Sequence, residues 1–163
     1  MAVSHQIVSL CTSPDFSDRG LKKEIGRPTG IKALSHPMQI EIFTLCDAAT
    51  LDRGKLNLLG TFDSLRHRRY PQEMRSFAIV AQLRFSAEEG GHHEVEVRWF
   101  DADGQEVDRT ETHPTKLALE ERRDVSQHIW PVFGKTAFGP AEYMLQLVVD
   151  DCPVASIPLF LRE

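Results

Sequence analysis

The chain is short of most of what a recognisable enzyme or nucleic-acid protein needs. It has three cysteines in 163 residues, Cys11, Cys46 and Cys152. An odd, scattered set makes no disulfide framework, and no CxxC pair is present to hold a structural metal. HExxH, the nucleophile elbow and the phosphate-cradling P-loop are also missing. No cofactor, metal or catalytic constellation is therefore expected, and the chain is read as a non-enzyme. Lys and Arg number 19 against 24 Asp and Glu, a formal charge of −5. Binding to nucleic acid in general needs clustered cations to displace counterions, so none is expected. No apolar run approaches the ~20 residues of a membrane helix. Ile7 to Cys11 is too short for a signal-peptide core and has no basic region before it. The expectation is a cytoplasmic protein without a membrane partner.

What is present is ordinary globular material, 41% hydrophobic and 26% charged. A chain of this length suggests one domain, able to bury roughly two-thirds of its unfolded surface. Residues 1–37 differ from the rest. Pro14, Gly20, Gly26, Pro28, Gly30 and Pro37 punctuate them, and no period of two or 3.6 persists. This segment is expected to be a flexible extension, or sequence upstream of a true start at Met38. It carries five basic and three acidic residues, a net of +2, so residues 38–163 carry −7.

From Met38 the pattern turns to the alternation of half-buried strands. Ile40 to Cys46 is apolar on both faces except at Glu41, which suits a central strand. A turn is expected over Ala49–Gly54, placing Ala48 opposite Lys55. Leu56, Leu58 and Phe62 then alternate with polar residues. Gly60 interrupts them, a sign of a bulge or a close backbone approach. Phe77, Ile79, Ala81, Leu83 and Phe85 define the apolar face of a long strand. Val95, Val97 and Trp99 alternate with Glu94, Glu96 and Arg98. The sequence from Asp101 to Gly104 signals a hairpin, and the polar strand near 106–112 suits an edge. Pro114 to Arg123 is expected as a helical turn or crossover, and Asp124 to Phe133 as a weak strand broken by Pro131. Tyr143, Leu145, Leu147 and Val149 alternate again before the Asp150-Asp151 turn and a last strand over 154–161. About eight short strands without a convincing helix predict an all-β, antiparallel β-sandwich of immunoglobulin-like architecture, with 7–8 strands. Tyr143, at the start of the penultimate strand, is the candidate for a tyrosine corner.

Met38, Ile40, Phe43, Leu45, Cys46, Asp47 and Ala49, followed by Gly54-Lys55-Leu56-Asn57, Leu59-Gly60 and Phe62-Asp63, carry a resemblance. The run resembles the opening of a bacterial family of small uncharacterised proteins, a domain of unknown function. Pro158-Leu159-Phe160 extends the resemblance to the last strand. It covers residues 38–163 and implies a β-sandwich. It implies no activity, so no catalytic residue is carried over.

Several residue groups invite a chemical reading. Asp47 and Asp63 stand out in apolar strands, but a simple hairpin sets them at opposite ends, too far apart to share a proton. The Asp101-x-Asp103-Gly104 run lacks the further ligands of a calcium loop and is read as a turn. His92 and His93 are adjacent in a strand and point to opposite faces, which is poor geometry for one metal. Cys46 is read as a small buried hydrophobe.

Arg66, Arg68, Arg69 and Tyr70, helped by Arg75, form the concentrated basic patch in an acidic domain. They are the expected docking surface for a protein partner. Trp99 shares parity with Val95 and Val97 and belongs to the core. Trp130 has the opposite parity to Val125 and Ile129, which makes it the candidate exposed aromatic. The leading expectation is a protein-interaction module, binding another protein or itself. The alternative is a sandwich that binds a small molecule or carbohydrate through Trp130.

Overall fold

A computed structural model describes residues 38–86, 89–117 and 123–163. Twelve strands occur among them and no α-helix. Seven are long. They are β1 (Gln39–Asp52), β2 (Lys55–Phe62), β5 (Phe77–Ser86), β6 (Gly91–Phe100), β9 (Arg123–Val132), β11 (Ala141–Val149) and β12 (Cys152–Arg162). Five are short: β3 (Ser64–Arg66), β4 (Gln72–Glu73), β7 (Glu106–Arg109), β8 (His113–Leu117) and β10 (Thr136–Ala137). These short strands lift the number above the expected 7–8. Two- to five-residue pairings leave too little alternation to be read from sequence.

One sheet runs β2-β1-β5-β9, all antiparallel. A second, larger sheet runs β3-β12-β11-β6-β7, with β8 also on β6 beyond the end of β7, and β10 pairs with β4 in a separate two-stranded ribbon. Among the described residues only the β12–β3 contact is parallel. The inward rows of the two sheets meet in one core. Leu45, Ile79, Leu83 and Phe85 face Val95, Val97, Trp99, Leu145, Leu147 and Leu159, all at most 4% exposed. Stacking two sheets over interdigitated apolar rows is the immunoglobulin-like sandwich that the alternation predicts.

The β1–β2 hairpin is longer than expected. β1 continues to Asp52, and the turn is only Arg53-Gly54, with φ of +48° and +75°. Ala48 therefore pairs with Leu59, and Lys55 with Asp52. The hairpin also bends over the far face of its own sheet. Ala49, Leu56 and Leu58 pack there on Cys46, Ala78 and Val80, with Ile129 beside them. This second small core is why Val80 is fully buried although it alternates with the inward Ile79 and Ala81.

Pro114 to Arg123 is not a helical turn where it is described. It begins inside β8, where Pro114 pairs with Glu94 at the sheet edge, a position that tolerates a missing N–H. Residues 1–37, the expected extension, lie outside the described residues.

Candidate functional site

The β7–β8 edge of one sheet and β9, the edge of the other, flank an open side of the sandwich. β9 pairs with β5 over ten residues without a register shift, so its side chains alternate strictly. Ser126, His128, Trp130 and Val132 point inward and are buried. Val125 and Ile129, which suggested the opposite phase, lie on the outer face. Trp130 is consequently 3% exposed and belongs to the core, contrary to its candidacy as an exposed aromatic.

Between these edges lies a groove of about 370 Å3. Trp99 and Trp130 form its inner wall, with His113 beside them. The mouth is lined by Asp108, Arg109, Thr110 and Glu111 from the β7 side and by Val132, Phe133 and Lys135 from the β9 side.

Trp130 and His113 of the wall belong to a stack of rings that continues behind it to His128. His113 lies 4.9 Å from Trp130 at an interplanar angle of 17°, and His128 lies 5.4 Å from Trp130 at 12°. The Trp130 indole N–H donates to the Glu111 carbonyl at 3.0 Å, which fixes the ring plane. Behind the stack, His128 Nε2 meets the Ser126 hydroxyl, and Thr115 Oγ1 lies 3.4 Å from the same nitrogen. Burial, and then the charge of His113, lowers the His128 pKa from 6.5 to about 4. Burial likewise lowers that of His113. Both rings are therefore predominantly neutral at pH 7, and the wall is aromatic without being cationic.

The charged groups at the mouth are unequally committed. Lys135 pairs with Asp108 across the opening, and its ammonium lies 6.0 Å from the Trp99 ring centroid. Arg109 turns to Glu106 at 2.5 Å and reaches toward Glu96 at 3.9 Å. Among the described residues no ion pair forms at Glu111, whose side chain is exposed.

The expected basic patch lies elsewhere. β3 is the far edge of the sheet whose other edge is β7, so the arginine loop and Trp130 sit at opposite sides of the sandwich. The loop is pinned to the last strand. The His67 N–H and the Tyr70 hydroxyl both donate to the Arg162 carbonyl, at 2.9 and 3.1 Å. Arg66, Arg68 and Arg69 stay exposed, and Arg162 joins them, its guanidinium 4.8 Å from the Phe160 ring centroid. Arg75 does not join them. It pairs with Asp47 at 2.9 Å and lies over Phe62.

The remaining candidates serve the scaffold. Asp101 Oδ1 accepts from the N–H groups of Asp103 and Gln105, closing the expected hairpin turn. His93 bonds Asp150 and the Glu89 carbonyl, at 2.7 Å each, while His92 faces solvent. Burial opposes the charge on His93, but these two bonds and the Asp150 carboxylate outweigh it and raise the pKa. Asp47 is not at a strand end but inside β1. Asp63 ends its strand as expected, its carbonyl accepting from the Phe160 N–H. Phe62 pairs with Leu45, which puts Asp63 nearer to Asp47 than the expected register did. Tyr143 packs its ring 6.1 Å from Trp99, and its hydroxyl makes no hydrogen bond among the described residues. The hydroxyl that ties a loop to a strand is that of Tyr70.

Asp108, Glu111, His113 and Lys135 carry no sequence signal of their own. The alternation Ser126-His128-Trp130-Val132 is the signal that leads to the groove, because it fixes which face of β9 lines it.

Fold and site together define an all-β sandwich domain of immunoglobulin-like architecture with an aromatic groove at one open side. Residues 41–162 match a family of unknown function, DUF6941, and the chain belongs to that family. No curated protein matches it. Similar solved structures include the Pseudomonas fluorescens alkylpurine DNA glycosylase AlkC bound to DNA containing an abasic site analog, at 10% identity and TM-score 0.46, covering 77% of this chain and 30% of that one. A β-glucosidase from Listeria innocua is similar at 7% identity and TM-score 0.48, covering 81% of this chain and 17% of that one. An immunoglobulin-like protein from Pseudomonas aeruginosa is similar at 15% identity and TM-score 0.38, covering 80% of this chain and all of that one. The chain thus spans under a third of the glycosylase and under a fifth of the glucosidase.

Proposed function

We propose that the domain is a non-catalytic recognition module and that the groove beside Trp99 and Trp130 holds its ligand. The observation that carries this reading is the groove's composition: a concave, mostly apolar wall of stacked rings with polar groups gathered at one mouth. The ring planes are fixed by packing and by the Trp130 bond, so little order has to be imposed on binding. The test is a screen of small organic molecules and saccharides by ligand-observed NMR, repeated on Glu111→Trp, which adds an indole at the exposed rim of the mouth. Hits confined to the unaltered chain are expected. A silent screen, or hits that survive in Glu111→Trp, would overturn the assignment.

A second surface is favoured by one specific observation. Arg66, Arg68, Arg69 and Arg162 are exposed together on a loop tied to β12, within a domain that is otherwise acidic. We read it as a docking surface for an acidic protein. Changing Arg66, Arg68 and Arg69 to Ser should abolish recovery of a partner captured from the native host. Unchanged recovery removes that role.

A further inference from the structure

Resting on the groove as the recognition site, we infer that its ligand carries an organic ammonium group, seated where Lys135 now places its own. The groove already holds one alkylammonium. The Lys135 side chain reaches across the mouth, pairs with Asp108 and sets its nitrogen 6.0 Å from the Trp99 ring centroid. An ammonium against an aromatic ring and a carboxylate is favoured by the ring quadrupole as well as by the opposite charge.

The two partners of that ion pair are not equally replaceable. Asp108 sits in β7, paired in register with Trp99, so the sheet holds the acid beside the ring. Lys135 lies in the loop between β9 and β10 and is the more exposed, 43% against 30% for Asp108. A ligand can therefore displace the long lysine side chain by rotation about its several bonds, whereas the short aspartate side chain keeps its carboxylate close to its strand. The fixed part of the site is anionic and aromatic, and the movable part is a cation.

The other groups at the mouth agree. Arg109 is committed to Glu106 and Glu96, so it offers little to an incoming anion. Glu111 adds a second carboxylate with no ion-pair partner among the described residues. The ring wall behind them supplies apolar contact for the carbon substituents of the cation. Lys135 then acts as a tethered competitor that a ligand must displace.

The experiment titrates the full chain by calorimetry with three probes of one shape. They are choline, its neutral carbon isostere 3,3-dimethylbutan-1-ol, and the anion 3,3-dimethylbutyrate. Choline should bind at least about tenfold more tightly than the alcohol, and added salt should shrink that gap. Asp108→Asn and Glu111→Gln should each narrow the gap, and Lys135→Met should widen it by removing the competitor. Equal or tighter binding of the alcohol or the carboxylate overturns the inference, as does a gap that Lys135→Met leaves unchanged. If neutral molecules from the preceding screen occupy the groove while choline does not, the cation is wrong and the groove stands. If the screen itself is silent, both fall.

Discussion

Gly60 shows how one residue type can be required by a single neighbour. It lies across from Asp47 in the β1–β2 hairpin, at φ +65°, a conformation that L side chains rarely adopt. A β-carbon placed there would stand 2.5 Å from Asp47 Oδ2. Asp47 is held in that position by Arg75. Gly60→Ala should therefore cost about 2–3 kcal/mol in chemical denaturation, part from the backbone and part from the clash. Asp47→Ala removes the clash with the carboxylate, together with the exposed Arg75 ion pair, but not the backbone cost, so the double variant should regain up to about half of the loss. A double variant no more stable than Gly60→Ala alone would show that the carboxylate is not the obstacle. The close approach at Gly60 was legible as a gap in the inward row. The identity of what approaches was not, because it depends on a register set by a turn four residues tighter than the sequence suggested.

At the scale of elements, the strands that alternate cleanly are the ones the sequence reveals. β5, β6 and β11 appear where their periodicity places them. β9 was legible as a strand but not in its phase. Its inward row is Ser126, His128, Trp130 and Val132, so a polar half faces the interior while Ile129 serves the small core on the far face. The phase is set by ten residues of pairing with β5, a tertiary fact that no local pattern contains. The groove was hidden for the same reason, since it exists only where β9 and the β7–β8 edge come together. The hairpin turn offers a test at this scale. Arg53 occupies the first positive-φ position of a two-residue turn, with glycine second. Asn and Gly favour that backbone, so Arg53→Asn should stabilise the domain by about 0.5–1 kcal/mol. A neutral or destabilising result in urea denaturation would mean that the turn does not limit the hairpin.

The whole molecule combines these parts into a predictable response to pH. His128 is the titratable group most enclosed by the two sheets, and its pKa falls from 6.5 to about 4 on folding. A base with a depressed folded pKa binds fewer protons in the native state, so its contribution is complete above pH 6.5 and is lost as pH falls toward 4. Full loss would amount to about 3 kcal/mol, an appreciable part of a domain's net stability. His113 is shifted in the same direction by burial and adds to the same slope. Glu41, whose pKa is lowered by its bonds to Arg84 and Gln82, adds a weaker acid-side loss below the usual carboxylate value. His93 has the opposite sign. Its raised pKa favours the folded state below pH 6.5, and that contribution fades as pH rises through the raised value. The sum is a stability that falls steeply as pH drops below 6.5 and fades shallowly as pH rises above it. Urea midpoints measured from pH 4.5 to 8 should trace this shape. His128→Leu should flatten the acid limb while leaving the alkaline limb in place, whatever it does to absolute stability through the lost bonds to Ser126 and Thr115. The slope is the decisive quantity, because deleting those bonds moves every midpoint together whereas only the proton taken up by His128 tilts the curve. An acid limb of undiminished steepness in His128→Leu would assign the acid sensitivity to other groups and not to His128.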